Sequence, residues 1–177
     1  MAELTALKER VTRSWRRQQQ EYAHGENFPL GGYTAAMSLY GGVVAALTAA
    51  VRLSGTPLPD RISPWETALT AVATHKLSRI IAKDPVTSPL RVPFTTFEGT
   101  SGPAELAEDV RSGSGRKKTI GELVSCPFCL GMWVSTGFTA GHVFAPRATR
   151  LAVTTLAALA GSDFLQFAYA YAEQKAG

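Results

Sequence analysis

The residues of this chain with the clearest capacity for chemistry are its two cysteines, Cys126 and Cys129, within the stretch Ser125 to Trp133. A Cys-x-x-Cys pair is a tool for thiol redox chemistry or half of a metal site. Two cysteines do not make a disulfide framework. Pro127 stands between them and cannot donate to the carbonyl of Leu123, so the spacing predicts a kink or a helix restart at Cys126. A helix that restarts at Pro127 puts Cys126 at its N-cap, in the field of the helix dipole, where reactive thiols are found.

Three readings of the pair stand side by side. Zinc needs four ligands and there is no second Cys-x-x-Cys, so a metal site would draw Cys126, Cys129, His75 and Asp163 from one chain, or four thiolates from two chains. A dithiol cycling with a disulfide would make the protein a thiol-dependent membrane oxidoreductase or a redox sensor. In the third reading both cysteines are small buried hydrophobes.

The elements that would position these residues are mostly apolar helices. Of 177 residues, 18% are charged and 45% are apolar, and the charges are segregated. Residues 3 to 23 read as a basic amphipathic helix, with Leu4, Leu7, Val11 and Trp15 on one stripe and Lys8, Arg10, Arg13, Arg16 and Arg17 around it. Met1 to Arg17 lacks the apolar core of a secretory signal peptide. Tyr33 to Leu53 carries one charge, Arg52, and is long enough to cross about 30 Å of hydrocarbon. Pro64 to Ala82 is a second, weaker span because His75, Lys76 and Arg79 lie inside it. Residues 83 to 119 form a polar connection in which Pro85, Pro89 and Pro93 forbid a regular helix and 103 to 111 forms a short one. Thr119 and Glu122 match a capping box that opens a third span to about Phe144. After a turn at Pro146 to Arg150, Leu151 to Tyr171 is the fourth, interrupted by Asp163.

Cation placement orients the spans. Twelve Lys and Arg flank one side (five before His24, six between Lys83 and Lys118, and Lys175) against Arg52, Arg61, Arg147 and Arg150 on the other. The positive-inside rule then puts both termini in the cytoplasm. In that arrangement His75, Lys76, Arg79, Cys126, Cys129 and Asp163 fall at similar depth in the cytoplasmic half of the bilayer. Buried ionisable groups in lipid need partners, and Asp163 is the natural counter-charge for Lys76 or Arg79. The expected site is therefore a polar intramembrane cluster of His75, Lys76, Arg79 and Asp163 beside the thiol pair.

Thr74 to Arg79, Asp84 to Pro93 with Phe94-Thr95, Gly121-Glu122-Leu123 and Cys126 to Trp133 together resemble a bacterial family of uncharacterised small membrane proteins, domain of unknown function thirteen-sixty. The resemblance runs from about Tyr33 to Tyr171. It implies an integral membrane protein in a bacterium and supplies no reaction and no catalytic residue.

The expected fold is all-α: a four-helix polytopic membrane protein with an N-terminal basic amphipathic helix. Residues 1–28 form the interfacial helix and 29–177 the membrane domain, with its polar loop at 83–119. The bilayer is the expected partner, together with a second copy of the chain or another membrane protein. Zinc is the one candidate cofactor. The net charge of +4 comes without an RNA-binding signature or interleaved aromatic and basic residues, so nucleic acid is not expected. The leading function is a membrane-embedded binding or structural component, metal-binding if the cysteines hold zinc. The alternative is the thiol oxidoreductase or sensor. A transporter is disfavoured because four spans would need oligomerisation to enclose a pathway. A soluble helical domain with three very apolar helices is the remaining reading.

Overall fold

The computed structural model of the chain describes residues 1–24, 28–111 and 115–176. Its elements in order are α1 (Ala2–Ala23), α2 (Leu30–Ser54), α3 (Pro64–Lys83), a 3-10 turn (Pro85–Thr87), α4 (Ser88–Arg91), β1 (Thr95–Gly102), β2 (Glu105–Val110), α5 (Arg116–Ser125), α6 (Pro127–Phe144) and α7 (Pro146–Ala176). Helices α2, α3, α6 and α7 run alternately up and down as a bundle. The turn, α4, the β-hairpin and α5 form a polar head at one end.

α3 is the centre of the bundle and packs chiefly on α6 and α7. It begins with Pro64 in the first turn, and Ser63 caps it by accepting the amide of Glu66 at 3.0 Å. Its buried residues are small: Ala73, Ser78 and Ala82. The other buried apolar residues are Val153 and Ala160 on α7. Large apolar side chains point outward instead, among them Met37 and Leu39 on α2 and Leu151, Phe164 and Leu165 on α7. Leu39 is 63% exposed and Leu165 72%. Small residues inside and large ones outside is the pattern of helices packed in lipid, where close backbone approach drives association. In water it would leave a broad apolar surface unburied.

Two helices, α2 and α7, are long and apolar enough to cross a membrane. α5 and α6 reach the same combination of length and apolarity only when taken together, and they are bent by 79° at Cys126. The expectation of four spans is thus met by length and composition in two helices, or three with the bent pair. α3 is as long as a span, at 20 residues, but is too polar to qualify. The bend falls where Pro127 predicted it.

The all-α expectation is corrected by the hairpin. β1 and β2 pair antiparallel from Thr95 opposite Val110 to Gly102 opposite Glu105, with two register irregularities. Residues 103 to 111, expected as a short helix, are the hairpin turn and β2. Ala104 takes a φ of 57° there, in the left-handed region that favours glycine. The three prolines of the connection each start a short helical piece or its exit, since proline is tolerated in a first turn.

The head is tied to α3 by Arg91, which has no exposed surface. Its guanidinium donates to the carbonyls of Ile81 (2.7 Å) and Asp84 (3.1 Å), to Thr87 Oγ1 (2.8 Å) and to the Glu108 carboxylate on β2. It therefore caps the orphan carbonyls at the end of α3 and anchors the hairpin in one step. α1 stands apart, with Leu4, Leu7, Val11, Trp15 and Tyr22 all exposed. Tyr22, Phe28 and Tyr33 form a chain of ring contacts that links α1 to α2.

α7 begins at Pro146, so the segment 146–150 expected as a turn is its first turn. α5 begins at Arg116, with no side-chain cap. The capping box at Thr119 and Glu122 is not formed: Thr119 lies inside α5, and Glu122 is engaged elsewhere. Ser112 to Ser114, part of the Gly/Ser stretch of the polar loop, lie outside the described residues.

Candidate functional site where the bundle meets the head

Cys126 occupies the joint between α5 and α6. It is the N-cap of α6, in extended backbone conformation, and its Sγ accepts the amide N–H of Cys129 at 3.2 Å. That bond satisfies one of the orphan donors of the first turn with sulfur in place of the usual oxygen. Both cysteines are free thiols and both are half-buried.

The thiols face α2. From Cys126 the stripe of α6 continues through Cys129, Trp133 and Thr136 at three- and four-residue spacing. Tyr40 of α2 meets Trp133 edge-on at 5.2 Å between ring centres, and its hydroxyl bonds with Thr136 Oγ1 at 2.9 Å. About two turns toward the head, Tyr33 donates its hydroxyl to the carboxylate of Glu122 on α5. Lys118 approaches the same carboxylate at 4.0 Å. Sulfur, phenol and carboxylate thus share one corner, walled by α2, α5 and α6. The Tyr33–Glu122 pair was invisible to sequence reasoning, because 89 residues separate its members.

The polar cluster expected from sequence is divided. Lys76 on α3 donates to Asp163 on α7, with their side chains 17% and 35% exposed. Arg79 turns outward from the bundle to the head, where its Nε donates to Glu105 of β2 at 2.8 Å. His75 is exposed and makes no side-chain hydrogen bond or ion pair among the described residues. The structure therefore brings Lys76 and Asp163 together, sends Arg79 to a different carboxylate, and leaves His75 apart from the thiols. Among the described residues no three His, Cys, Asp or Glu side chains are grouped as a metal ion would require. Cys126, Cys129, His75 and Asp163 do not form a ligand set here: Asp163 is committed to Lys76, and His75 lines a groove between α3 and α6 that neither cysteine lines. At the opposite end of the bundle Arg150 pairs with Glu66 at 2.9 Å, and His142 meets Thr70 at 3.3 Å.

Glu105, Glu108 and Arg91 were also missed. Arg91, Asp84 and Thr87 lie in the proline-punctuated motif between 84 and 93, so the signal was present, but their common task emerges only once the end of α3 is in place.

Fold and site define a class: a helix bundle, with two helices of membrane-crossing length and apolarity, that carries a free dithiol where the bundle joins a polar head. Within that class the chain belongs to the family described as protein of unknown function (DUF1360), whose model matches residues 69–169, more than half of the chain. The match covers most of α3, the head, α6 and most of α7, and leaves α1 and α2 outside. No curated protein and no solved structure matches the chain.

Proposed function

We propose that the protein is a multi-pass membrane protein with the head and both termini in the cytoplasm, and that Cys126 and Cys129 form a dithiol–disulfide exchange site at that membrane face. α2, α6 and α7 cross the bilayer, α3 is carried across sheltered by α6 and α7, and α5 lies along the surface. The 79° bend supports the last point, since a helix nearly perpendicular to a spanning one runs in the membrane plane. At 18 residues, α6 reaches about 27 Å by itself. The cysteines then sit at the interface rather than deep in the hydrocarbon, within reach of cytoplasmic partners. Cation-rich segments still collect at this end of the bundle.

The observation that carries the thiol reading is the N-cap geometry, with Cys126 Sγ on the amide of Cys129. It places both sulfurs on one turn of helix in the absence of a grouped third or fourth metal donor among the described residues. In the exchange one cysteine thiolate attacks a disulfide of a protein or small-molecule partner. The partner's S–S bond breaks and a mixed disulfide forms. The second cysteine then attacks the mixed disulfide, closing Cys126–Cys129 and releasing the partner as a dithiol. The two protons come from the two cysteine thiols, and the partner takes the electron pair. A cytoplasmic location favours the reduced resting state and hence a reductase or sensor.

Thiol alkylation tests this in cells and in purified protein. A membrane-permeant reagent should label both cysteines and an impermeant one should label them only after the membrane is opened. In glutathione buffers of graded poise the pair should form one intramolecular disulfide reversibly, and Cys126→Ser or Cys129→Ser should abolish it. Zinc released stoichiometrically on alkylation would overturn the thiol reading in favour of metal binding. Extraction of the protein from membranes by alkaline carbonate would overturn the membrane reading.

A further inference from the structure

α1 sorts its side chains by face. At about 100° per residue, Leu4, Leu7, Val11, Trp15 and Tyr22 fall within an arc of about 80°. Gln18 is the polar residue on that arc, and no charged residue shares it. The five apolar side chains are all exposed, from Trp15 at 44% to Leu4 at 71%. Lys8 and Arg10 border the arc on its two sides, one turn from Leu4 and Leu7. Neither makes an ion pair among the described residues, whereas Arg13 and Arg17, further round the helix, pair with Glu9 and Glu21 at 4.0 and 2.9 Å. Glu3 is the third carboxylate of α1, against five cations.

The C-terminal turn of α1 is tied to the entry of α2. The Tyr22 ring lies 5.5 Å from that of Phe28, and Phe28 lies 5.4 Å from Tyr33 in the first turn of α2. The Tyr33 hydroxyl continues the chain to Glu122 on α5. α2 has the length and apolarity to cross a membrane. Aromatic rings at the end of such a helix sit at headgroup level, where their apolar bodies and polar tips are both accommodated. The ring chain thus fixes the last turn of α1 beside the level at which α2 leaves the hydrocarbon. A basic segment tied there lies within a Debye length of the headgroups.

We infer that α1 docks lengthwise on the anionic phospholipids of the leaflet that α2 enters. The apolar arc sinks into the boundary between headgroups and acyl chains, and Lys8 and Arg10 meet lipid phosphates at its two edges. The inference rests on the membrane reading above, from which it takes the level of α2, and it is independent of the thiol reaction. A narrow apolar stripe under a cation-rich face is what a surface-lying helix requires. A neutral bilayer would cover the stripe and leave the two bordering cations unmet. A second copy of α1 would pair the stripe as a coiled-coil seam, which favours leucine and β-branched residues; Trp15, Gln18 and Tyr22 occupy half of it instead. α1 lies outside the residues matched by the family, so the docking arm is an addition to the shared domain.

The test is made on the full chain reconstituted in vesicles, with Cys126→Ser and Cys129→Ser so that one introduced cysteine carries an environment-sensitive fluorophore. Serine keeps an N-cap acceptor at position 126. The reporter stands at Val11→Cys on the arc or at Gln20→Cys on the opposite side of α1; both positions are exposed, so neither label disturbs the packing. In vesicles of phosphatidylcholine mixed with phosphatidylglycerol, lipids bearing a nitroxide should quench the Val11 reporter, and aqueous acrylamide should quench the Gln20 reporter. In phosphatidylcholine alone the Val11 reporter should move to the aqueous response. Lys8→Gln and Arg10→Gln should lower the ratio of docked to undocked α1 by about fivefold for each cation removed. The same quenching at both positions, or Val11 docked equally in phosphatidylcholine alone, would overturn the inference. So would energy transfer between Val11 reporters that persists as protein is diluted in lipid, the mark of paired α1 helices. A chain that resists alkaline carbonate while Val11 stays in water would refute the docking alone, and a chain released by carbonate would refute the membrane reading with it.

Discussion

The head and the bundle bury opposite kinds of residue. In the head the most deeply buried large side chain is an arginine, Arg91, held by Glu108 and by the carbonyls that end α3. In the bundle the buried residues are alanine, serine, threonine and one valine, while leucine, phenylalanine and methionine line the outside. One region resembles a water-soluble structure stitched by charge-assisted hydrogen bonds. The other is organised by close helix contact, as at Gly141, where an added Cβ would strike the Thr149 side chain. The two regions are thus held by different interactions, and α3 packs against both.

The sharpest break of this contrast is Arg91→Met. It strands Glu108 and the carbonyls of Ile81 and Asp84, and should cost about 3–5 kcal/mol. Thermal unfolding in detergent, with limited proteolysis between residues 95 and 110, would show the head released while the bundle persists. A cost below 1 kcal/mol would mean the ion pair does not hold the head.

A matched pair of lysine substitutions probes the two regions directly. Leu39→Lys on the outer face of α2 should cost about 2.5–3.5 kcal/mol of membrane insertion. Phe97→Lys on the hairpin, equally exposed, should stay within about 0.5 kcal/mol of the parent. Equal effects at the two positions would erase the distinction between the regions.

Lys76→Met should destabilise the bundle by about 1–2 kcal/mol, a figure reduced because Asp163 is about one-third exposed. Lys76→Met with Asp163→Asn should recover most of that loss in a double-mutant cycle, since the cost lies in the stranded charge. Absence of coupling would show that the two residues are solvated separately.

The smallest expected effect is that of Tyr33→Phe, about 1 kcal/mol from loss of the bond to Glu122. It should also raise the alkylation rate of Cys129 by loosening the corner around it. An unchanged rate would separate the thiol pair from the α2–α5 contact.

Much of the bundle was legible in the residue pattern. Charge-poor runs mark α2, α6 and α7, and Pro127 marks both the bend and the N-cap position of Cys126. The hairpin was not legible, because Thr95 to Val110 alternates weakly and its strands are held by Arg91, Arg79 and Arg111 rather than by a buried apolar face. The failed capping box at Thr119 has the same origin. Tyr33 from α2 captures Glu122, and a contact over 89 residues outweighs a local one over three. The expected polar cluster assumed equal depth meant contact. Depth is set by position along a helix, but contact is set by rotation about it, and rotation put His75 and the thiols on different sides.

From the sequence alone came the placement of the apolar runs, the bend at Pro127, the asymmetry of cations and the identity of the dithiol, because each is a property of neighbouring residues. The tertiary structure alone decided which carboxylate each cation meets and that the thiols face α2. Those are properties of how helices are turned against one another, and pairing between distant residues is governed by packing, which no local pattern records.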